Sequence, residues 1–174
     1  MTTQRTTPDW LIDELIEASG LTDNMSVLEP SCGEGRIIKR MRDNFSFAGL
    51  KVTGIELNKE LIEKAHKELT EYSHFIKGDF TEIDFLHDFD RIIAAPPFKS
   101  NIDVVHIQHM YKILAKGGKL VSLTAPLWTV NNEPHQVEFR KWLQGKKYSI
   151  KMLPDNTFME KGKTVHTARI IINK

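Results

Sequence analysis

Val27-Leu28-Glu29-Pro30-Ser31-Cys32-Gly33-Glu34-Gly35-Arg36 passes from a short apolar run, through a turn holding two glycines, into a segment of helical pattern. Glycine tolerates backbone angles that other residues avoid, so Gly33 and Gly35 allow a sharp turn and a close approach to a ligand. The helix that follows opens with N–H groups lacking intrahelical partners, which favour polar or anionic atoms. A strand, a glycine turn and a helix in this order form the first unit of a parallel sheet covered by helices. An ordinary strand-to-helix turn carries the same glycines, so the rest of the chain has to discriminate.

On both sides of this stretch, short apolar runs alternate with helical patterns. A helix is expected over 8–19, closed by Gly20, ahead of a first strand at 25–29. Then follow a helix at 35–42, a strand at 52–56 and a helix at 59–72, the last with Leu61, Ile62, Ala65 and Leu69 at helical spacing. Short strands are expected at 74–77 and 91–94. A helix over 102–115 is expected to stop at Gly117-Gly118 before a fifth strand at 119–124. After a helix at 133–143, the segments 148–153 and 165–172 read as an antiparallel pair, because too few residues separate them for a helical crossover. The fold class is therefore α/β, a mostly parallel seven-stranded sheet with an antiparallel strand near the C-terminus and helices on both faces.

With 174 residues, 40% of them hydrophobic, the chain can bury one substantial core, and a single domain over 1–174 is expected. Its 24 Lys+Arg against 23 Asp+Glu leave a formal charge of +1, which offers no global electrostatic case for nucleic-acid binding. Cys32 is the one cysteine, so no internal disulfide can form. No signal-peptide core and no apolar run of membrane-spanning length is present, and a cytoplasmic protein is expected.

Acidic residues recur where strands finish. Glu56 closes the second strand, where a carboxylate can accept hydrogen bonds from both hydroxyls of a ribose. After the third strand, Gly78-Asp79-Phe80 offers an acceptor for an adenine amino group and a ring to lie beside the base. A solvated cap and a common Gly-Asp turn are the ordinary readings of the same residues. At successive strand ends, however, they describe a nucleoside pocket on the carboxyl edge of a parallel sheet.

Glu29 to Gly35, Gly54-Ile55-Glu56-Leu57 and Gly78-Asp79-Phe80 resemble the first three motifs of class I S-adenosylmethionine-dependent methyltransferases, whose fold is Rossmann-like. With Ala95-Pro96-Pro97-Phe98 after strand four, the chain resembles the enzymes that methylate adenine N6 in DNA or RNA. Thr7-Pro8-Asp9-Trp10-Leu11 is similar to that family's N-terminal cofactor motif, and the likeness runs from about Thr6 to Lys174. The resemblance implies S-adenosylmethionine as cofactor and a nucleic-acid substrate. It implies that Glu29 with Pro30, Ser31, Cys32, Gly33 and Gly35 holds the methionine part. Glu56 and Leu57 would then hold the ribose, Asp79 and Phe80 the adenine, and Thr7 and Pro8 would close over the cofactor.

The fourth motif departs from the family, which carries Asn or Asp where this chain has Ala95. An adenine amino nitrogen is a poor nucleophile because its lone pair is delocalised into the ring. Accepting its two N–H groups, one at the Asn/Asp side chain and one at the first proline's carbonyl, draws the nitrogen toward tetrahedral geometry. Ala95 supplies no side-chain acceptor, while Pro96 keeps its carbonyl, Pro97 stiffens the turn and Phe98 keeps its stacking face. Three readings follow: a deliberate substitution that disables transfer, an acceptor nucleophilic enough to need no such help, or a natural loss of catalysis. The first agrees best with the otherwise intact motif.

On the substrate side, Trp128 is a candidate to line the pocket or stack on a base, with an ordinary core or lid aromatic as the alternative. The basic run Arg140 to Lys151, with Lys161, Lys163 and Arg169, could face phosphates or be a solvated helix end, and Pro154 to Phe158 is a turn-rich connection that could reach the substrate. His106 and His109 read as a solvated helix face, no metal site is expected, and Cys32 lacks the partners of a nucleophile. The leading function is methyl transfer to adenine N6. Methylation of a protein or small-molecule amine, or a non-catalytic cofactor-binding module, are the alternatives, and dinucleotide-dependent redox chemistry comes last.

Overall fold

The computed structural model describes residues 6–45, 47–71, 73–98 and 102–174. Its strands β1 (Ser26–Pro30), β2 (Lys51–Glu56), β3 (Ser73–Lys77), β4 (Phe89–Ala94), β5 (Leu114–Thr124), β6 (Lys147–Met152) and β9 (Ala168–Asn173) form one sheet in the order β3-β2-β1-β4-β5-β9-β6. β1 to β5 pair in parallel, and β9 runs antiparallel between β5 and β6. This is the Rossmann-like methyltransferase sheet anticipated from the sequence.

Both faces of the sheet are covered, and successive residues on one strand serve opposite faces. Val27, Ile93, Val121 and Leu123 meet one cluster with Leu11, Leu15 and Ile16 of α1 (Asp9–Ser19), Ile37, Ile38 and Met41 of α2 (Arg36–Asn44), and Ile62 and Leu69 of α3 (Lys59–Leu69). Their neighbours Leu28, Ile92 and Leu120, with Ile170 and Ile172, meet the other cluster. There they join Val104, Ile107 and Met110 of α4 (Ile102–Lys112) and Phe139 and Leu143 of α5 (Pro134–Leu143). The helices start and stop by local chemistry. Asn58 caps α3 by accepting from the Glu60 and Leu61 amides, and Gly20 ends α1 in the left-handed region at φ 62°.

Two local expectations are corrected. The helix over 102–115 ends at Lys112, and Gly117-Gly118 lies inside β5 rather than before it. Phe89 pairs with Leu114 and Arg91 already with Lys119, so the intervening residues bulge out and the glycines absorb the bulge. The helix at 59–72 ends at Leu69, and Tyr72 lies outside the described residues. Between β6 and β9 the chain adds a short hairpin, β7 (Met159–Glu160) with β8 (Lys163–Thr164). Lys161 and Gly162 at its tip have φ 49° and 75°, the positive values a two-residue hairpin loop requires. Among the described residues, no helix is long and apolar enough to cross a membrane.

Asp90 links the starts of two central strands. Its Oδ2 accepts from both the Ser26 amide and the Ser26 hydroxyl at 2.8 Å, and its own amide donates to Ser26 Oγ at 3.0 Å. The Ser26 amide, then the hydroxyl, hold the Asp90 carboxyl below its ordinary range. A depressed carboxylate stabilises the fold above the unfolded value, near 3.9, and that contribution fades as pH falls through the folded value. Asp90→Ala should therefore lose about 1–2 kcal/mol at pH 7 in denaturant titrations. The deficit should shrink below about pH 4, as the native protein loses the same contribution.

Candidate active site

Where β1 to β5 finish, their connections enclose a cleft of about 540 Å³. Of the residues singled out in the sequence, Thr7, Ser31, Glu56, Leu57, Asp79, Phe80, Ala95, Pro96, Pro97 and Phe98 all line it. A second hollow of about 380 Å³, at the opposite ends of β2 and β3, has no carboxylate among the described residues of its wall.

The loop after β1 is built on the end of β2. The Ser31 and Cys32 amides both donate to the Ile55 carbonyl, at 2.9 and 2.7 Å, and the Gly33 amide donates to Glu56 Oε2 at 2.9 Å. Ser31, a non-glycine residue, is held at φ 115°, a costly conformation that these hydrogen bonds stabilise at the cleft wall. Glu56 Oε1 accepts from the Asn58 amide at 2.8 Å. Each carboxylate oxygen has about two lone-pair sites, so one bond on each fixes the group while leaving capacity for a ligand. Asp79 Oδ1 accepts from the Thr81 hydroxyl at 2.7 Å and the Thr81 amide at 2.9 Å, which keep its carboxyl below the usual range.

Other sequence candidates lie behind this wall. Glu29, Pro30 and Cys32 are buried and do not line the cleft, and neither does Pro8, which precedes the first turn of α1. Burial, reinforced by the charge of Glu56, raises the Glu29 carboxyl well above its ordinary value, and Oε2 has no partner among the described residues. Burial, with Glu29 and Glu56 nearby, also raises the Cys32 thiol, so it is no ready nucleophile. Gly35 serves helix packing. A Cβ there would lie 2.7 Å from Leu69 Cδ1 and 3.3 Å from Ala65 Cβ, so the glycine lets α2 sit against α3.

Trp128 is not brought to the cleft. It is 4% exposed, its ring meets Phe139 edge-on at 5.0 Å, and Nε1 donates to Thr124 Oγ1 at 3.0 Å. Thr124 Oγ1 donates in turn to the buried Asp103 at 2.7 Å. Part of the basic run is engaged within the chain. Arg140 donates to the Trp128 and Asn131 carbonyls, Lys146 lies over the Trp142 ring, and Lys151 and Arg169 pair with Glu14.

His106 and Glu160 line the cleft although the sequence did not place them there, whereas Phe158 belongs to the turn-rich connection expected to reach the substrate. His106, expected on a solvated face, is 7% exposed and lines the cleft. The spacing 103, 106, 107, 110 marks the buried stripe of α4 and could have placed it inward. Glu160 arrives from β7 and Phe158 from just before it, and Phe158 meets Phe98 edge-on at 6.3 Å. Among the described residues, no group of three or more His, Cys, Asp or Glu could hold a metal.

The cleft suits a positively charged nucleoside. Glu56, Asp79 and Glu160 stand in its wall, and no described residue lining it is lysine or arginine. The sheet order is that of the class I methyltransferase fold, and the cleft lies at the strand ends where such folds take their ligands. Residues 21–158 match a family model described as a methyltransferase domain, and the chain belongs to that family.

Among individual proteins, it is 36% identical over 81 residues to the modification methylase CviBIII of Paramecium bursaria Chlorella virus NC1A, covering 44% of this chain and 20% of that protein. It is 24% identical over 141 residues to a protein-lysine N-methyltransferase of Saccharolobus islandicus (strain REY15A), covering 78% and 77% of the two chains. The methyltransferase subunit of a type I restriction-modification system from Streptococcus thermophilus superposes with a TM-score of 0.81 at 17% identity, over 98% of this chain and 45% of that one. The N-methyltransferase NodS of Bradyrhizobium japonicum WM9 superposes with 0.69 at 15% identity, over 95% and 94%. At these identities the superpositions establish the fold.

Trp128→Phe tests its placement in the core. The loss of one buried hydrogen bond and some ring volume should lower stability by about 1–2 kcal/mol. Calorimetric affinity for S-adenosylmethionine should stay within about twofold; a large loss of affinity would put the indole back in the cleft.

Proposed function

We propose that this chain methylates an amino nitrogen and that its acceptor is the N6 amino group of adenine in nucleic acid. The observation that carries this reading is the Ala95-Pro96-Pro97-Phe98 turn, which lines the same cleft as Glu56 and Asp79. In this reading Glu56 accepts from the ribose hydroxyls, Asp79 accepts from the cofactor's adenine amino group, and Phe80 lies beside its ring. Ser31, at the head of the β1 loop, receives the methionine part, with Glu29 buried behind it, and Thr7 covers the slot. S-adenosylmethionine supplies a methyl group made electrophilic by the positive sulfur that carries it.

The remaining work falls to the turn after β4. The Pro96 carbonyl accepts one N–H of the acceptor and draws the nitrogen toward tetrahedral geometry, taking its lone pair out of conjugation with the ring. Phe98 offers a face to a base taken out of its stack. With alanine at 95, the second N–H has no side-chain acceptor, so this form binds its ligands better than it turns them over. Loss of one oriented polar group costs on the order of 10²–10³ in rate.

A second reading has its own support. An aliphatic amine, once deprotonated, is already tetrahedral and needs no acceptor at 95. The similarity to a protein-lysine methyltransferase spans most of both chains.

Labelled S-adenosylmethionine supplied to the native protein and to Ala95→Asn, with DNA, RNA or protein extract, separates the two. Adenine methylation by the Asn form should exceed that of the Ala form by about 10²–10³. Silence of both forms on nucleic acid, with label entering protein, would sink the adenine reading and leave the amine reading standing.

A further inference from the structure

Within the acidic cleft, His106 is the one described lining residue whose side chain can become a cation. It extends from α4 toward two separate parts of the site. Its Nδ1 lies 3.5 Å from Ser31 Oγ in the loop after β1, and its ring meets Phe80, after β3, edge-on at 5.2 Å. His109, one turn further along, meets Phe80 at 4.6 Å but does not line the cleft. The imidazole thus forms the α4 wall of the slot between the β1 loop and the β3 end.

We propose that His106 discriminates between cofactor and product. Neutral, it admits the positively charged sulfonium of S-adenosylmethionine; protonated, it disfavours that ligand relative to the uncharged thioether S-adenosylhomocysteine. The inference rests on the reading of the cleft as the cofactor site. The two ligands share adenine, ribose and amino-acid groups, and differ by one methyl and the charge on sulfur. The ratio of their affinities therefore reads the charge of the surrounding wall.

Several groups act on the ring. Burial opposes its protonation most strongly, the Asp79 carboxylate favours it, and His109 on the same helix opposes it, with a net shift below the ordinary value. Glu56 from β2 and Glu160 from the hairpin line the same cleft, and the Ser31 hydroxyl is the neutral polar neighbour. The ring therefore takes up its proton at a lower pH than a free imidazole does. In general, two unit charges about 10 Å apart at an effective dielectric of about 20 interact strongly enough to change affinity roughly tenfold. Product inhibition should deepen as pH falls, because the product lacks the charge that His106 would repel.

Calorimetric titration of the full chain with each ligand between pH 5 and 7.5 tests this. The ratio of dissociation constants, S-adenosylmethionine over S-adenosylhomocysteine, should rise roughly tenfold as the His106 ring takes up its proton in the native protein. Its midpoint should coincide with the His106 ring titration followed by NMR. In His106→Asn and His106→Gln, both uncharged at every pH, the ratio should stay flat. A flat ratio in the native protein, a midpoint away from the ring titration, or an equal rise in both variants overturns the proposal. Failure of the native protein to bind S-adenosylmethionine at any pH overturns the cofactor reading of the cleft, and this inference with it.

Discussion

The Ile55 carbonyl and the Glu56 carboxylate, at the end of β2, together hold three consecutive amides of the β1 loop: Ser31, Cys32 and Gly33. Parallel pairing of β1 with β2, Glu29 opposite Gly54 and Pro30 opposite Ile55, delivers the loop to this point. The amides are satisfied there, so Ser31 can remain at a positive φ in the cleft wall. The same carboxylate that anchors the loop faces the cleft. The bonds that shape the site and the group that would receive a ribose are therefore parts of one arrangement.

The sheet supplies the rest by its order. With β1 and β4 adjacent at the centre, the loops after them fall side by side, and the β2 and β3 ends extend the edge on one flank. Residues distant in sequence, such as Ser31, Asp79 and Ala95, meet in one cleft because parallel strands finish on the same edge. Burial then adjusts chemistry behind the wall. Glu29 and Cys32 are held toward their protonated forms, while Glu56 and Asp79 stay within reach of a ligand.

Strand-end chemistry was the legible part of the sequence. Glu56 and Asp79 could be placed because their strands are short apolar runs with a clear end, and the Pro-Pro-Phe turn because few backbones tolerate two prolines after a strand. Gly117-Gly118 misled, because glycine serves a β-bulge as readily as a helix stop, and the pairing of Phe89 with Leu114 decided between them. His106 was misjudged from its residue type, although its place on the buried stripe of α4 pointed inward. Trp128 was ambiguous, since its partners Phe139 and Thr124 come from either side in sequence and meet only in the folded core. The turn-rich Pro154 to Phe158 pointed toward the substrate, but the β7–β8 hairpin lacked an alternating apolar pattern, so Glu160 reached the cleft unannounced.

The central claim is that the carboxylate at the end of β2 both orders the β1 loop and receives the cofactor's ribose. Isothermal titration of S-adenosylmethionine into the native protein and into Glu56→Gln, which keeps the side chain's shape, tests it most directly. One site per chain in the native protein, weakened about ten- to a hundredfold in the variant, is the predicted result. No binding to the native protein, or equal affinity in a folded variant, would contradict the account.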